Sequence, residues 1–139
     1  MADYNLQRFL DAQQPDFETA LGEMRAGHKT SHWIWYIFPQ VKGLGFSPNS
    51  QYYGIDGLEE ARAYLDHPVL GARLREITQL VLDHAADDIH VIMGSGIDAR
   101  KFKSSMTLFD LVSPDDIFAR ALDTFYAGHR CGKTLKMCT

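Results

Sequence analysis

The sequence predicts an all-α protein: a compact, orthogonal, single-domain fold of about six or seven helices, with at most one short strand pair. Three observations carry this expectation. Apolar residues recur at spacings of three and four through most of the 139-residue chain, which is the period of one helix face. Caps and stops punctuate them, as in His67-Pro68, Gly27, Gly128 and Ser113-Pro114-Asp115-Asp116. Only the stretch at about 31–54 lacks a helical period.

Taken in order, Leu6, Phe9 and Leu10 predict a short first helix. After Pro15 a second begins, with Phe17, Ala20, Leu21 and Met24 on one face and Gly27 as its stop. Asp56 with Glu59 three residues on is a capping-box pattern that opens a helix through Leu65. Pro68 fits a first helical position, and Leu70, Leu74, Ile77 and Val81 form one apolar seam beyond it. Asp87 or Asp88 caps a short turn before Gly94-Ser95-Gly96, and a helix follows from about Asp98 to Val112. Ser113 as cap, Pro114 and the acidic first turn Asp115-Asp116 launch Ile117, Phe118, Ala121, Leu122 and Phe125, and Thr134-Leu135-Lys136 suits a tail helix.

Length and composition narrow the function classes. The chain is long enough to bury a core as one domain, and 45% hydrophobic with 23% charged residues argues against disorder. With 14 basic against 18 acidic residues, net charge −4, it lacks the general basic surface of a nucleic-acid binder, though a local basic cleft is compatible. No apolar run approaches the ~20 residues that span a bilayer. The opening residues do not form a signal peptide, and Cys131 and Cys138 read as reduced thiols, so the expected location is the cytoplasm.

The densest chemistry lies in Ser31-His32-Trp33-Ile34-Trp35-Tyr36-Ile37-Phe38-Pro39-Gln40. Its alternation suits a short strand, with His32, Ile34, Tyr36 and Phe38 on one side and Trp33, Trp35 and Ile37 on the other. Trp33 and Trp35 suit stacking on a flat ligand or anchoring a core. His32 is the candidate acid or base, with a structural role as its alternative. Ser31 and Gln40 supply polar groups at the two ends of the run.

A second candidate wall comes from residues 101–112. On a helical wheel Lys103, Thr107 and Asp110 form a solvent face, while Ser104, Ser105 and Lys101 fall inside the apolar arc. Buried hydroxyls cost on the order of 1–3 kcal/mol unless they find partners. Either they bond back into their own helix while Lys101 snorkels, or they line a cleft. Arg73, at the edge of its seam, can reach a cleft anion or pair with Glu76. His28 and His32 lack a third ligand at metal spacing, so no metal site is expected, and no cofactor. Gly94-Ser95-Gly96 is not a full nucleophile elbow, and Gly43-x-Gly45 is not a dinucleotide fingerprint.

Several blocks together resemble domain-of-unknown-function family 1810, small and mostly bacterial helical proteins sometimes mislabelled calpastatin. They are Ser-His-Trp-x-Trp-Tyr-x-Phe-Pro-Gln (31–40), Gly-Leu-Gly-x-Ser (43–47), Tyr53-Gly54-Ile55, the run from Glu60 to Leu74, and Lys103–Phe109. The resemblance spans Leu6 to Leu135 and implies a mainly helical single domain with no established activity. It also implies an aspartate between the glycine turn and Thr134, where this chain has Cys131-Gly132. A looser likeness to NAD- and ADP-ribose-related N-glycosidases raises a nucleotide-like ligand and carries over no residue.

The expectation is therefore a small nucleotide-like or anionic ligand in a cleft between residues 31–40 and 101–107, with hydrolysis of a glycosidic bond as the conceivable reaction. Ser31, Trp33, Trp35, Gln40, Arg73, Lys101, Ser104 and Ser105 would bind, and His32 would catalyse. The alternative is a non-catalytic module presenting its aromatic patch to a protein partner.

Overall fold

A computed structural model describes residues 4–138, in which the chain forms nine helices and a single isolated bridge. The first is α1, Gln7–Ala26, one 20-residue helix where two were expected. Pro15 does remove a backbone donor, but it sits on the exposed face. Phe9, Gln13, Phe17, Ala20, Leu21 and Met24 continue one buried stripe across it. Burying that stripe outweighs the ~3 kcal/mol a proline costs inside a helix. Gly27, in left-handed conformation with φ 79°, ends α1.

The aromatic run is not a strand. Ile34–Ile37 makes a single helical turn, α2. Alternation would send half of the apolar side chains to each face, whereas a turn brings Trp33, Ile34, Ile37 and Phe38 inward together. All four are at most 2% exposed. Pairing shrinks to a parallel bridge between Val41 and Ile55, held by Lys42 N–H to Ile55 O (2.8 Å) and Ile55 N–H to Gln40 O (2.9 Å). A second unexpected turn, α3 (Pro48–Tyr52), is capped by Ser47, which accepts from Ser50 N–H at 3.1 Å.

Helix α4 (Leu58–Asp66) follows Gly57, and Glu60, not Glu59, reaches back to Asp56 N–H at 2.7 Å. Glu60 is drawn inward because its other oxygen meets Arg8 at 2.9 Å, with both side chains buried. The remaining guanidinium donors go to the carbonyls of Tyr52 (2.8 Å), Gly54 (3.1 Å) and Asn5. Such a pair is tolerable in the interior because each guanidinium nitrogen and each carboxylate oxygen has a partner.

The expected seam of Leu70, Leu74, Ile77 and Val81 is fully buried on α5, Leu70–Leu82. That helix starts two residues after Pro68, where His67 Nδ1 accepts from the amides of Val69 and Leu70 (3.1 and 3.2 Å). Asp88 caps α6 (Ile89–Met93), and Ser95 caps α7 (Gly96–Val112), two residues earlier than expected. Asp116, expected in a first turn after a Ser113 cap, is itself the cap of α8 (Ile117–Tyr126); it accepts from the Ser113 hydroxyl at 2.7 Å and from Arg75 Nη1 at 2.8 Å. A tail helix, α9, spans Gly132–Met137.

Helix α7 lies at the centre, packed by α2, α4, α6, α8 and α9. Phe102, Met106, Leu108 and Phe109 on it have no exposed surface. No helix among the described residues is long and apolar enough to cross a membrane.

Glu23, near the end of α1, fixes the chain leading into α2. Its carboxylate accepts from the amides of Thr30 (2.8 Å) and Ser31 (3.0 Å), the Ser31 hydroxyl and the Trp33 indole (3.0 Å). Burial works against the charge, yet these donors hold its pKa at about 2, below the ordinary 4.5. A depressed carboxylate pKa adds stability above about pH 4.5 that is lost as pH falls towards 2. Glu23→Gln is therefore expected to cost about 2 kcal/mol at neutral pH, a fall of roughly 5–10 °C in Tm. The difference from the parent protein should narrow as the pH is lowered through that window, as read by thermal unfolding at a series of pH values.

Candidate functional site

The candidate site is a hollow of about 420 Å3 between the N-terminal half of α7, the 40–45 loop and the start of α9. Arg100, Lys101 and Lys103 reach it from α7, and Lys133 from α9. Leu44 and Ile97 give it apolar wall, and Gln40 an amide. Among the described residues no carboxylate and no imidazole lines it. None of the four cations is ion-paired to a carboxylate among the described residues. Instead Lys101 Nζ lies 5.0 Å over the Trp35 ring and Lys103 Nζ 5.7 Å over that of Tyr126.

Its floor is made by hydroxyl contacts between α7 and the tail. Ser104 and Thr134, both buried, share a hydrogen bond of 2.7 Å. Thr107 was expected on a solvent face with Lys103 and Asp110, but it has no exposed surface. Its hydroxyl donates to Lys103 O at 2.8 Å and accepts from Cys131 N–H at 2.9 Å. Asp110 meets Arg130 at 3.2 Å. The tail covers the face a wheel assigns to water, because a wheel shows periodicity and not what packs on it.

Cys131 lines the same hollow. Burial raises its thiol pKa, but hydrogen bonds from the Thr134 side chain and amide, the Ser104 hydroxyl and the Lys133 amide outweigh it and leave the thiol below its ordinary value. Cys138, by contrast, is pushed up by burial. Neither cysteine is in a disulfide.

Of the candidates read from sequence, Gln40, Lys101 and Ser104 line the hollow. Trp35 stands behind Lys101, partly exposed, with its indole N–H buried and without a partner. The others lie elsewhere. Ser31 and the exposed His32 line a separate hollow of about 170 Å3 with Ser95 and the Lys29–Asp98 pair. Trp33 is a core residue bonded to Glu23. Arg73 donates to Gln13 at 3.3 Å and covers the Phe17 ring at 5.0 Å, between α5 and α1. Ser105 is fully buried and its hydroxyl has no partner.

Arg100, Lys103, Cys131 and Lys133 escaped the sequence reading. The signal for the first two is the run Arg100-Lys101-Phe102-Lys103, three cations in four residues of a net-acidic chain. No group of three or more His, Cys, Asp or Glu among the described residues is placed to hold a metal ion.

A small all-helical domain with a cation-lined hollow against its central helix is the class that fold and site define. The chain belongs to the family described as Protein of unknown function (DUF1810), whose model matches residues 3–138. It is similar to the conserved hypothetical protein Rv1873 from Mycobacterium tuberculosis, known from a crystal structure, with 42% identity and a TM-score of 0.93. That match covers 97% of this chain and 96% of the other. No curated protein matches the chain.

The two serines separate by experiment. Ser104→Ala removes a bond to the tail and strands Thr134, an expected loss of about 1–2 kcal/mol. Ser105→Ala removes a hydroxyl that is already unsatisfied, and is expected to be neutral or stabilising. Urea unfolding of both variants reads the contrast; equal losses would contradict it.

Proposed function

We propose that the protein binds a small anionic ligand, carrying phosphate or carboxylate groups, in the hollow between α7 and α9. The carrying observation is that four cations line it and no acid among the described residues neutralises them. In water such a cluster repels itself weakly, and an anion gains most at Lys101 and Lys103, which are half-buried, while the exposed Arg100 and Lys133 add to the local field. Lys103 and Lys133 are placed on different helices, which suits a ligand with more than one anionic oxygen. Leu44 and Ile97 beside them suit an apolar or planar body, so a nucleotide-like ligand fits the chemistry.

The reading is for binding. His32, the candidate catalyst, stands at the other hollow, and the carboxylate pair that glycosidic hydrolysis ordinarily uses is not among the described residues lining this one. The aromatic patch of the alternative, a protein-interaction module, has Trp33 and Phe38 in the core, so nothing favours that reading. Two unpaired thiols fit a reducing compartment such as the cytoplasm.

Adenosine monophosphate and pyrophosphate are the probes. At about 100 Kd either is expected to stabilise the fold by about 2.7 kcal/mol, a rise of several degrees in Tm. Because Lys101 overlies Trp35, binding should also change tryptophan emission, with Trp33 a constant background. Lys101→Ala and Lys133→Glu should each weaken binding about tenfold or more. No response to either probe, or responses unchanged in both variants, would overturn the reading.

A further inference from the structure

The thiol within this hollow has a use that anion binding alone does not give it. Cys131 does not stand alone: it shares a cavity of about 420 Å3 with Arg100, Lys101, Lys103 and Lys133. Resting on the reading of that cavity as an anion site, we infer that Cys131 is a modification site for small anionic disulfides of the oxidised-glutathione class, whose carboxylates seat on the four cations. The matching of charge is what makes the reagent specific. A cavity lined by one sign of charge raises the local concentration of the opposite sign by about 10- to 1,000-fold in rate. The hydroxyls of Ser104 and Thr134, themselves buried and bonded to each other, lie against the cysteine and hold the α7–tail junction in place.

The step is thiol–disulfide exchange. The Cys131 thiolate attacks one sulfur of the disulfide; the new sulfur–sulfur bond forms as the old one breaks. The departing thiolate carries away the electron pair and takes a proton from water. Cys131 is oxidised and the released half of the reagent is reduced, so no other oxidant enters. The attached anionic group then occupies the hollow, and other anions are excluded until a thiol reverses the exchange.

The experiment uses the Cys138→Ser protein, in which Cys131 is the remaining thiol. Its modification rate is measured with a dianionic aromatic disulfide, dithiobis(nitrobenzoate), and with uncharged dithiodipyridine. The dianion should be favoured about tenfold or more relative to its preference for a free small thiol, and less at high salt, where screening shortens to about 3 Å at 1 M. Lys133→Glu should abolish the preference while leaving the uncharged reagent's rate within a few-fold. Oxidised glutathione should form a one-to-one adduct that no longer responds to pyrophosphate in tryptophan emission.

A preference for the dianion no greater than that of a free small thiol, and independent of salt, would overturn the inference, as would a Cys131 thiol no faster than Cys138 in the Cys131→Ser protein. In either case retained pyrophosphate binding by Cys131→Ser leaves the anion site standing. Loss of pyrophosphate binding in the parent protein removes both together.

Discussion

The structure depends on satisfying hydroxyl groups on a helix that is surrounded. Helix α7 is packed by five others, and Ser104 and Thr107 have almost no access to water. Each must find a protein partner or cost about 1–3 kcal/mol. Both find one in the tail, Ser104 at Thr134 Oγ1 and Thr107 at the Cys131 amide. Those two bonds fix where residues 131–134 run, and so bring Lys133 and Cys131 opposite Arg100, Lys101 and Lys103. The hollow is the gap left where the tail is pinned at its floor and not at its rim.

Charge sorts what such a gap accepts. The chain carries net charge −4, so a long polyanion meets repulsion over most of the surface. A small anion meets only the local field of four cations. That contrast separates a small-ligand site from a nucleic-acid track, which needs basic groups continued along a stripe. The cations persist near each other because aromatic faces at Trp35 and Tyr126 take the place of carboxylates for two of them.

Elements with strong local signals were legible in the sequence. The α5 seam, the Asp88 cap (one of the two aspartates offered) and the Gly27 stop stand where periodicity and capping chemistry put them, while α8 is capped by Asp116 and not by Ser113. The misreadings share a cause, which is tertiary contact overriding a local cue. Pro15 breaks a helix only if no stripe runs across it, and Glu60 replaces Glu59 at the cap because Arg8 draws it in. For the site, inward polarity on α7 was legible at Ser104 and Lys101. The other wall was not, since nothing in the spacing of Cys131 and Lys133 says which helix the tail covers.

The aromatic run illustrates why density of functional-looking residues is a poor guide to function. Three of its polar side chains are committed to α1: Ser31 and Trp33 to Glu23, and the Tyr36 hydroxyl to Asp16. Gln13, also on α1, donates to Tyr36 O at 2.7 Å and to the Tyr64 hydroxyl at 3.0 Å. Groups bonded in this way cannot also hold a ligand without breaking what orders α2. Trp35 differs among the aromatic residues of the run: its indole N–H is unclaimed among the described residues and its ring faces Lys101. The segment therefore acts as a clamp between α1 and α7, and its one uncommitted aromatic ring is the one that touches the cation-lined hollow through a lysine.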